Sequence, residues 1–542
     1  MPAPHPNPLP AAAGRGSRLS LRRGSADKDP RPAIRGRGRG ARRSRGRVRG
    51  KLHNLPIAAL LNALLLLSVV QVAFAQDNNA IVAALPTSAA WLQHYQRDIL
   101  PFWQTPAALG EPVGNFPTSR CNDGSVVNPA APCPEFAAAP DWIKSTAGRQ
   151  YTRMISRQIY LYGVAFHLTG DPRYLGWARA GVHYLLDRAY NPATGNVASY
   201  LDSGKPAAET PDHASQDVAY SLVGLSFYYY LTRDPDILPP IFKIEHFIRQ
   251  TYFDSRTGIY RWERQGPNAA RPDLVAQLDQ VNAYMLLLTP ILPEPQQKQW
   301  RGELARLAKL LRTRFYDSAS ELFIGTLAPQ KGAACNFDRD DTDFGHSIKT
   351  YWMLYFAGRY LGDLDLQTFA EHGAPSVLIR AYLPETGSWA VKPTCDGKTD
   401  MTSSWWVAAE LDQAALTFGL GNPALLQHIP STFRFWLDHM VDHAHGEVWD
   451  EVAVPGLAPK QRPKIHLWKN GFHTAEHTLV GYIATGALRG DPVTLYYAFH
   501  DCKLPPDLHP YYFDGTVTAH QDTPSPGPPG QCTTKVTFGT VH

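Results

Sequence analysis

The sequence predicts an all-α fold, an (α/α)6 barrel in which six helical hairpins close into a toroid. The first observation is a short turn that recurs six times. It appears at Gly170-Asp171-Pro172, Arg233-Asp234-Pro235, Pro293-Glu294-Pro295, Gly362-Asp363-Leu364, Gly421-Asn422-Pro423 and Gly490-Asp491-Pro492. Successive middle positions are 63, 60, 69, 59 and 69 residues apart, a period that holds two helices and their connections. The second is the similar wet loop that follows most copies: Tyr190-Asn191…Gly195, Phe253-Asp254…Gly258-Ile259-Tyr260, Pro384-Glu385…Gly387-Ser388-Trp389 and His445-Gly446-Glu447-Val448-Trp449. A hairpin that cannot bury its apolar face alone stacks on its neighbours. Six of them make a ring whose hollow centre suits a small polar substrate.

Residues 1–52 carry 15 Lys and Arg against 2 Asp and Glu. They form a basic leader, either a disordered tail or sequence upstream of a start at Val48. Residues 53–75 carry an apolar run that ends Val72-Ala73-Phe74-Ala75. Basic flank, apolar run and small-x-small ending describe a secretory signal peptide cut after Ala75; an uncleaved anchor is the alternative. The barrel is expected over 76–502. A leading helix near 88–103 and a Pro/Gly loop with two cysteines, about 104–145, come first. Helices follow at about 147–169, 172–188, 213–232, 236–251, 274–289, 295–315, 344–361, 364–381, 403–419, 423–443, 471–487 and 491–499. Their apolar residues keep helical spacing, as in Ile159, Tyr162, Gly163 and Phe166. Residues 503–542 read as a Pro/Gly-rich tail that wraps the domain or hangs free.

The formal net charge of +5 averages two unlike parts: +13 on residues 1–52, and 38 basic against 46 acidic residues, net −8, on the remainder. A mildly acidic body gives no support to a nucleic-acid partner. All six cysteines follow Ala75, an even number that suits an oxidising compartment, and a periplasmic or secreted location is expected. Six cysteines allow 15 pairings. Cys121–Cys133 and Cys502–Cys532, each closing a Pro-rich segment, are favoured, with Cys335–Cys395 tying two loops of one face. No Walker loop, credible Gly-x-Ser-x-Gly elbow or Cys-x2-Cys is present, and nothing demands a nucleotide or other cofactor. After signal cleavage no stable membrane span is expected, and the protein is expected to be a monomer or homodimer.

The first helix of each hairpin lines the centre of such a ring. Segments 149–162, 213–220, 280–285, 343–352, 403–410 and 467–477 would do so, and they are rich in reactive residues. Within them, or close beside them, stand Arg153-Met154-Ile155-Ser156-Arg157-Gln158-Ile159-Tyr160, Gly345-His346 and Trp405-Trp406-Val407-Ala408-Ala409-Glu410. Gly446-Glu447-Val448-Trp449 and Trp468-Lys469-Asn470-Gly471-Phe472-His473 follow. In this order, over nearly all of 147–487, the passages resemble the N-acylglucosamine 2-epimerase family, which includes cellobiose 2-epimerases and aldose–ketose isomerases.

The resemblance implies an enzyme acting on a reducing mono- or disaccharide. One histidine removes the C2 proton to form a cis-enediolate; a second returns it to the opposite face of C2, or the proton goes to C1. It points to His346 and His473 as the acid/base pair, suited by a pKa near neutrality. Arg157 falls on the family's sugar-binding arginine and would offer fixed positive charge to the enediolate. Glu410, Asn282 and Trp405, Trp406 and Trp468 are the expected substrate contacts; Arg153 reads equally as a sugar ligand or as the partner of an acid. The family's Asn-x-His-x-His stretch appears as Asn282-Ala283-Tyr284-Met285-Leu286, without either histidine. Lys349 replaces a glutamate and Glu476 an arginine, a double change of sign from which a direct Lys349–Glu476 ion pair is expected.

His473-Thr474-Ala475-Glu476-His477 also spells a zinc-protease order, but no glutamate follows between Thr478 and His542 to complete the ligands. His439, His443 and His445 have ligand-like spacing on a polar outer helix, and no metal is expected. Two rival functions fit the same architecture. One is a glycoside hydrolase or polysaccharide lyase drafting Asp343, Glu410 or Glu447 as a carboxylate pair; the other is a non-catalytic carbohydrate-binding protein.

Overall fold

The computed structural model describes residues 78–542, apart from 211–212, 267, 501 and 525–530. The basic leader and the signal segment lie outside these residues. Helix α1 (88–103) leads into a long loop. Then come α2 (Thr152–Thr169) and α3 (Pro172–Arg188), α4 (Ser215–Thr232) and α5 (Leu238–Tyr252), and α6 (274–288) and α7 (296–315). After them stand α8 (Phe344–Leu361) and α9 (Leu364–Ala381), α10 (Trp405–Gly419) and α11 (429–440), and finally α12 (Phe472–Arg489). The even-numbered helices are buried along nearly their whole length and form the inner ring. The odd-numbered ones bury one face and form the outer ring.

The recurring turn is where an inner helix ends and an outer one begins. Gly170 closes α2 at φ 72°, the left-handed region that glycine enters without steric penalty. The Asp171 side chain then accepts from the Arg173 N–H, and Pro172 occupies the first turn of α3. Arg233 and Asp234 repeat the device, as do Gly362 and Asp363. The aromatic-ending loops are short β-hairpins. Phe253-Asp254 pairs with Ile259-Tyr260, Tyr316-Asp317 with Leu322-Phe323, and Tyr382-Leu383 with Ser388-Trp389. Each returns the chain from an outer helix toward the next inner one.

The sixth copy departs from the expected helix at 491–499. After Gly490-Asp491-Pro492 comes strand β1 (Val493–Tyr497), whose buried positions alternate. β-Branched and aromatic residues at period two fit a pleated surface better than a helix. β1 pairs antiparallel with β3 (Cys532–Gly539), which pairs on its other side with β2 (Thr516–Pro524). The described residues after 502 are therefore folded, not free. The sixth outer helix is instead α1, which packs on α12. The Trp91 indole lies 4.8 Å from the His477 ring, and a Cβ at Gly481 would come within 2.4 Å of that indole. A helix near the start of the described residues closes the ring against α12.

Disulfides join Cys121–Cys133, Cys335–Cys395 and Cys502–Cys532, the favoured pairings. Among the described residues no helix is long and apolar enough to cross a membrane.

Candidate active site

The reactive side chains sit within the first three turns of the inner helices: Arg153 and Arg157 on α2, Asp217 on α4, Asp279 and Asn282 on α6, His346 and Lys349 on α8, Trp405, Trp406 and Glu410 on α10, and His473 and Glu476 on α12. Contacts among them bring these N-terminal ends together at one mouth. Helix N-termini carry partial positive charge, so the mouth favours an anion forming within it.

His346 is fixed by Asp343. One oxygen of that carboxylate caps α8 by accepting from the His346 N–H at 2.7 Å, and the other lies 2.8 Å from His346 Nδ1. Burial opposes charging of the ring, but the Asp343 carboxylate outweighs it and raises the imidazolium to about 9. His473 also turns Nδ1 toward a carboxylate, Glu410 Oε1, at 3.5 Å. That is an ion-pair distance, longer than a good hydrogen bond. Here burial wins, Lys349 adds to it, and the ring is pushed down to about 4. The Trp406 indole neighbours both, its centroid 4.6 Å from the His346 ring and 6.1 Å from that of His473.

Glu410 is fully buried and bonded on both oxygens, by Lys349 Nζ at Oε1 and by Trp352 Nε1 at 2.8 Å at Oε2. The expected direct pairing of Lys349 with Glu476 is therefore not found. Lys349 meets Glu410 on the adjacent inner helix, while Glu476 Oε1 accepts from the Tyr511 hydroxyl at 2.5 Å. Donor atoms of Glu410, His473 and Glu476 lie within 4.8 Å of one another, a set that could hold a cation. The Lys349 ammonium already brings a positive charge into that set.

On the opposite wall Arg157 is buried over the Tyr220 ring at 4.3 Å and donates from Nη1 to the Trp468 carbonyl at 3.0 Å. Arg153 stacks on Trp468 at 3.7 Å and donates to Asp217 at 2.5 Å and to the Leu467 carbonyl at 3.0 Å. It is the partner of an acid and covers one face of the indole. Trp405 stands edge-on to His473 at 6.3 Å. Buried polar atoms on several of these residues make no hydrogen bond to another described residue: Arg157 Nε, Asp279 Oδ2, both amide atoms of Asn282, and Nε1 of Trp405 and Trp468. Folded proteins rarely leave buried polar atoms unpaired. Such a group at one mouth fits a hydroxyl-rich ligand.

Where the family's two histidines are missing, the chain has core. Tyr284 is buried on Trp300, with its hydroxyl on Gln280, and Leu286 packs in the interior. The sequence reading missed Asp279. A single acid on the apolar stretch 274–288, one turn before Asn282, is the signal that marks it. Burial pushes its carboxyl up to about 7 against the pull of Arg157, Lys349 and His346. An acid whose folded pKa exceeds its unfolded value, ~3.9, costs stability as pH rises from that value through about 7. Asp279→Asn is therefore expected to raise the unfolding free energy at pH 8 by the order of a few kcal/mol, and by much less at pH 4. An equal gain at both pH values would contradict this.

The rival motifs come apart in three dimensions. His477 Nε2 binds Asp412 Oδ2 at 2.9 Å while His473 faces Glu410, so the two do not share a ligand point. His443 Nε2 turns to the Leu437 carbonyl. Of the carboxylates a hydrolase would draft, Asp343 holds His346, Glu410 is saturated, and Glu447 is fully buried against Trp103 and Lys469.

Residues 142–468 match the family model of N-acylglucosamine 2-epimerase (GlcNAc 2-epimerase). The chain is 25% identical over 352 residues to the cellobiose 2-epimerase of Eubacterium cellulosolvens, covering 60% of this chain and 85% of that protein. It is 23% identical over 337 residues to the cellobiose 2-epimerase of Bacteroides fragilis, covering 59% and 83%. Among solved structures it is similar to the cellobiose 2-epimerase of Bacillus thermoamylovorans, with TM-score 0.61 and 17% identity over 73% of this chain and 98% of that one. It is also similar to a D-mannose isomerase, with TM-score 0.59 and 16% identity over 73% and 96%. These neighbours share the helical barrel. With more than half of its length matched by the family model, the chain belongs to the N-acylglucosamine 2-epimerase family.

Proposed function

We propose that the protein is an exported sugar 2-epimerase or aldose–ketose isomerase that moves the C2 proton of a reducing mono- or disaccharide through an enediolate. Beyond the family, one observation supports this most: two histidines that both neighbour Trp406, each with Nδ1 toward a carboxylate and so each presenting Nε2. The neutral ring of His473 is the base and the imidazolium of His346 the acid, since their environments push them to about 4 and about 9. In the open-chain sugar, His473 takes the proton from C2, and the C2–H electron pair forms the C1–C2 double bond as charge moves to O1. Arg157 and the converging helix ends stabilise that oxygen. A proton from His346 to the opposite face of C2 inverts the centre, and charge returns from O1 to rebuild the aldehyde; a proton delivered to C1 instead, with the O2 hydroxyl proton passing to O1 as the C2 carbonyl forms, yields the ketose. Export is supported by the three disulfides.

Proton NMR of residues 76–542 with a panel of reducing sugars in heavy water tests the proposal. Loss of a C2–H signal with growth of epimer or ketose peaks is expected. New reducing ends or unsaturated products would move the protein to the hydrolase or lyase class. For the sugar that reacts, kcat/KM should rise with pH through about 4 as His473 loses its proton and fall through about 9 as His346 does. Undiminished activity well above that upper limb would exclude His346 as the acid.

A further inference from the structure

The C-terminal segment enters the ring from the end opposite the mouth. Tyr512 packs on Trp352 and Phe356 at 5.6 and 5.7 Å, and Tyr511 reaches Glu476, one turn beyond His473. Both lie beyond residues 142–468, the span of the family match. Tyr511 is held on every side. Its N–H donates to the Tyr230 hydroxyl at 2.8 Å, and its carbonyl accepts from His509 Nδ1. Its own hydroxyl accepts from Tyr160 at 3.0 Å and donates to Glu476 Oε1 at 2.5 Å. Its φ is 59°, a left-handed conformation that a bulky residue keeps only where its surroundings impose it. Cys502–Cys532 ties the start of this segment to β3.

We propose that Tyr511 is a positioning residue of the active site, acting on His473 through the Glu476 carboxylate to which it donates. This rests on the role proposed for His473. Glu476 faces Tyr160 on α2, Lys349 on α8, Glu410 on α10, Tyr511 and Tyr512 on the C-terminal segment, and His473 on its own helix. Burial and the Glu410 charge push it up to about 7, while Lys349 and the Tyr511 hydroxyl favour its ionised form. Ionised, Glu476 places a second negative charge within 4.8 Å of the His473 ring and makes the imidazole a stronger base. Protonated, it leaves the Lys349–Glu410 pair and the Arg157 charge acting on that ring. The hydroxyl of Tyr511 thus sets the pH at which the stronger base is available.

The test follows the His473 ring by NMR in the substrate-free protein. The ring signal should inflect near pH 7 as Glu476 titrates. In Tyr511→Phe the inflection should move up by about one pH unit, the weight of a hydrogen bond to a charged group. It should vanish in Glu476→Gln, and the double variant should match Glu476→Gln alone. In turnover, the same displacement should appear as a kcat step with KM little changed. An inflection that stays in place in Tyr511→Phe, or survives Glu476→Gln, overturns the proposal. An inflection that moves while no sugar turns over leaves this inference standing and removes the epimerase reading instead.

Discussion

His473→Ala is expected to lower kcat by about 1,000-fold while sugar binding, followed by tryptophan fluorescence, persists. The substitution removes the histidine that burial keeps neutral at the mouth, and it leaves Arg157, Trp406 and Trp468 in place. His346→Ala separates the two proton transfers. With the acid gone, His473 still exchanges the C2 proton with solvent and returns it to the same face, so in heavy water the sugar gains deuterium without inverting. If the product is a ketose formed by His473 alone, His346→Ala costs less. A hydrolase would respond to neither histidine in this pattern, because its rate would follow a carboxylate pair. Retention of C2 exchange in His473→Ala would remove that residue from the base role.

Much of the ring is legible in the sequence because it is local. A left-handed cap, an Asp cap and a Pro at the first helical turn are chemistry within four residues, and Gly170-Asp171-Pro172 states it directly. The sixth copy misled because Gly490-Asp491-Pro492 carries the same punctuation, while the element after it is set by Val493, Leu495 and Tyr497 turning to the core at period two. Ring closure by α1 was out of reach, since Trp91 meets His477 across nearly the whole barrel sequence. The site was legible in part for the same reason. His346 and His473 each begin an inner helix, and a helix start is readable. Their carboxylate partners differ: Asp343 is three residues from His346, whereas Glu410 reaches His473 from another helix. The Lys349–Glu476 expectation failed because two sign changes in one sequence do not imply one contact. Lys349 finds a carboxylate on the neighbouring helix first, and Glu476 takes its partner from a segment that composition alone had marked as tail.

The Lys349–Glu410 pair separates stability from chemistry more sharply than any other contact in the site. Both groups are almost wholly buried, and taking two charges out of water is repaid only while they stay together. Lys349→Met leaves the carboxylate with Trp352 and the His473 ring but no cation, and Glu410→Gln leaves an ammonium without its anion. Each is expected to cost about 3–5 kcal/mol of unfolding free energy in denaturant titrations. The double variant keeps volume and removes both charges; the Gln amide oxygen can still accept from Trp352 Nε1, so most of that loss should return as coupling between neighbours. Activity should not return with it. A carboxylate beside Nδ1 accepts its proton and leaves the lone pair on Nε2, where the base is needed; an amide N–H there donates to Nδ1 and moves the proton to Nε2. The 3.5 Å separation is long for a hydrogen bond, as catalytic contacts often are before substrate closes the site. A stable double variant with kcat still reduced about 100-fold or more would assign Glu410 to holding His473 in its working tautomer. A double variant that regains activity along with stability would leave the pair a structural element and nothing more.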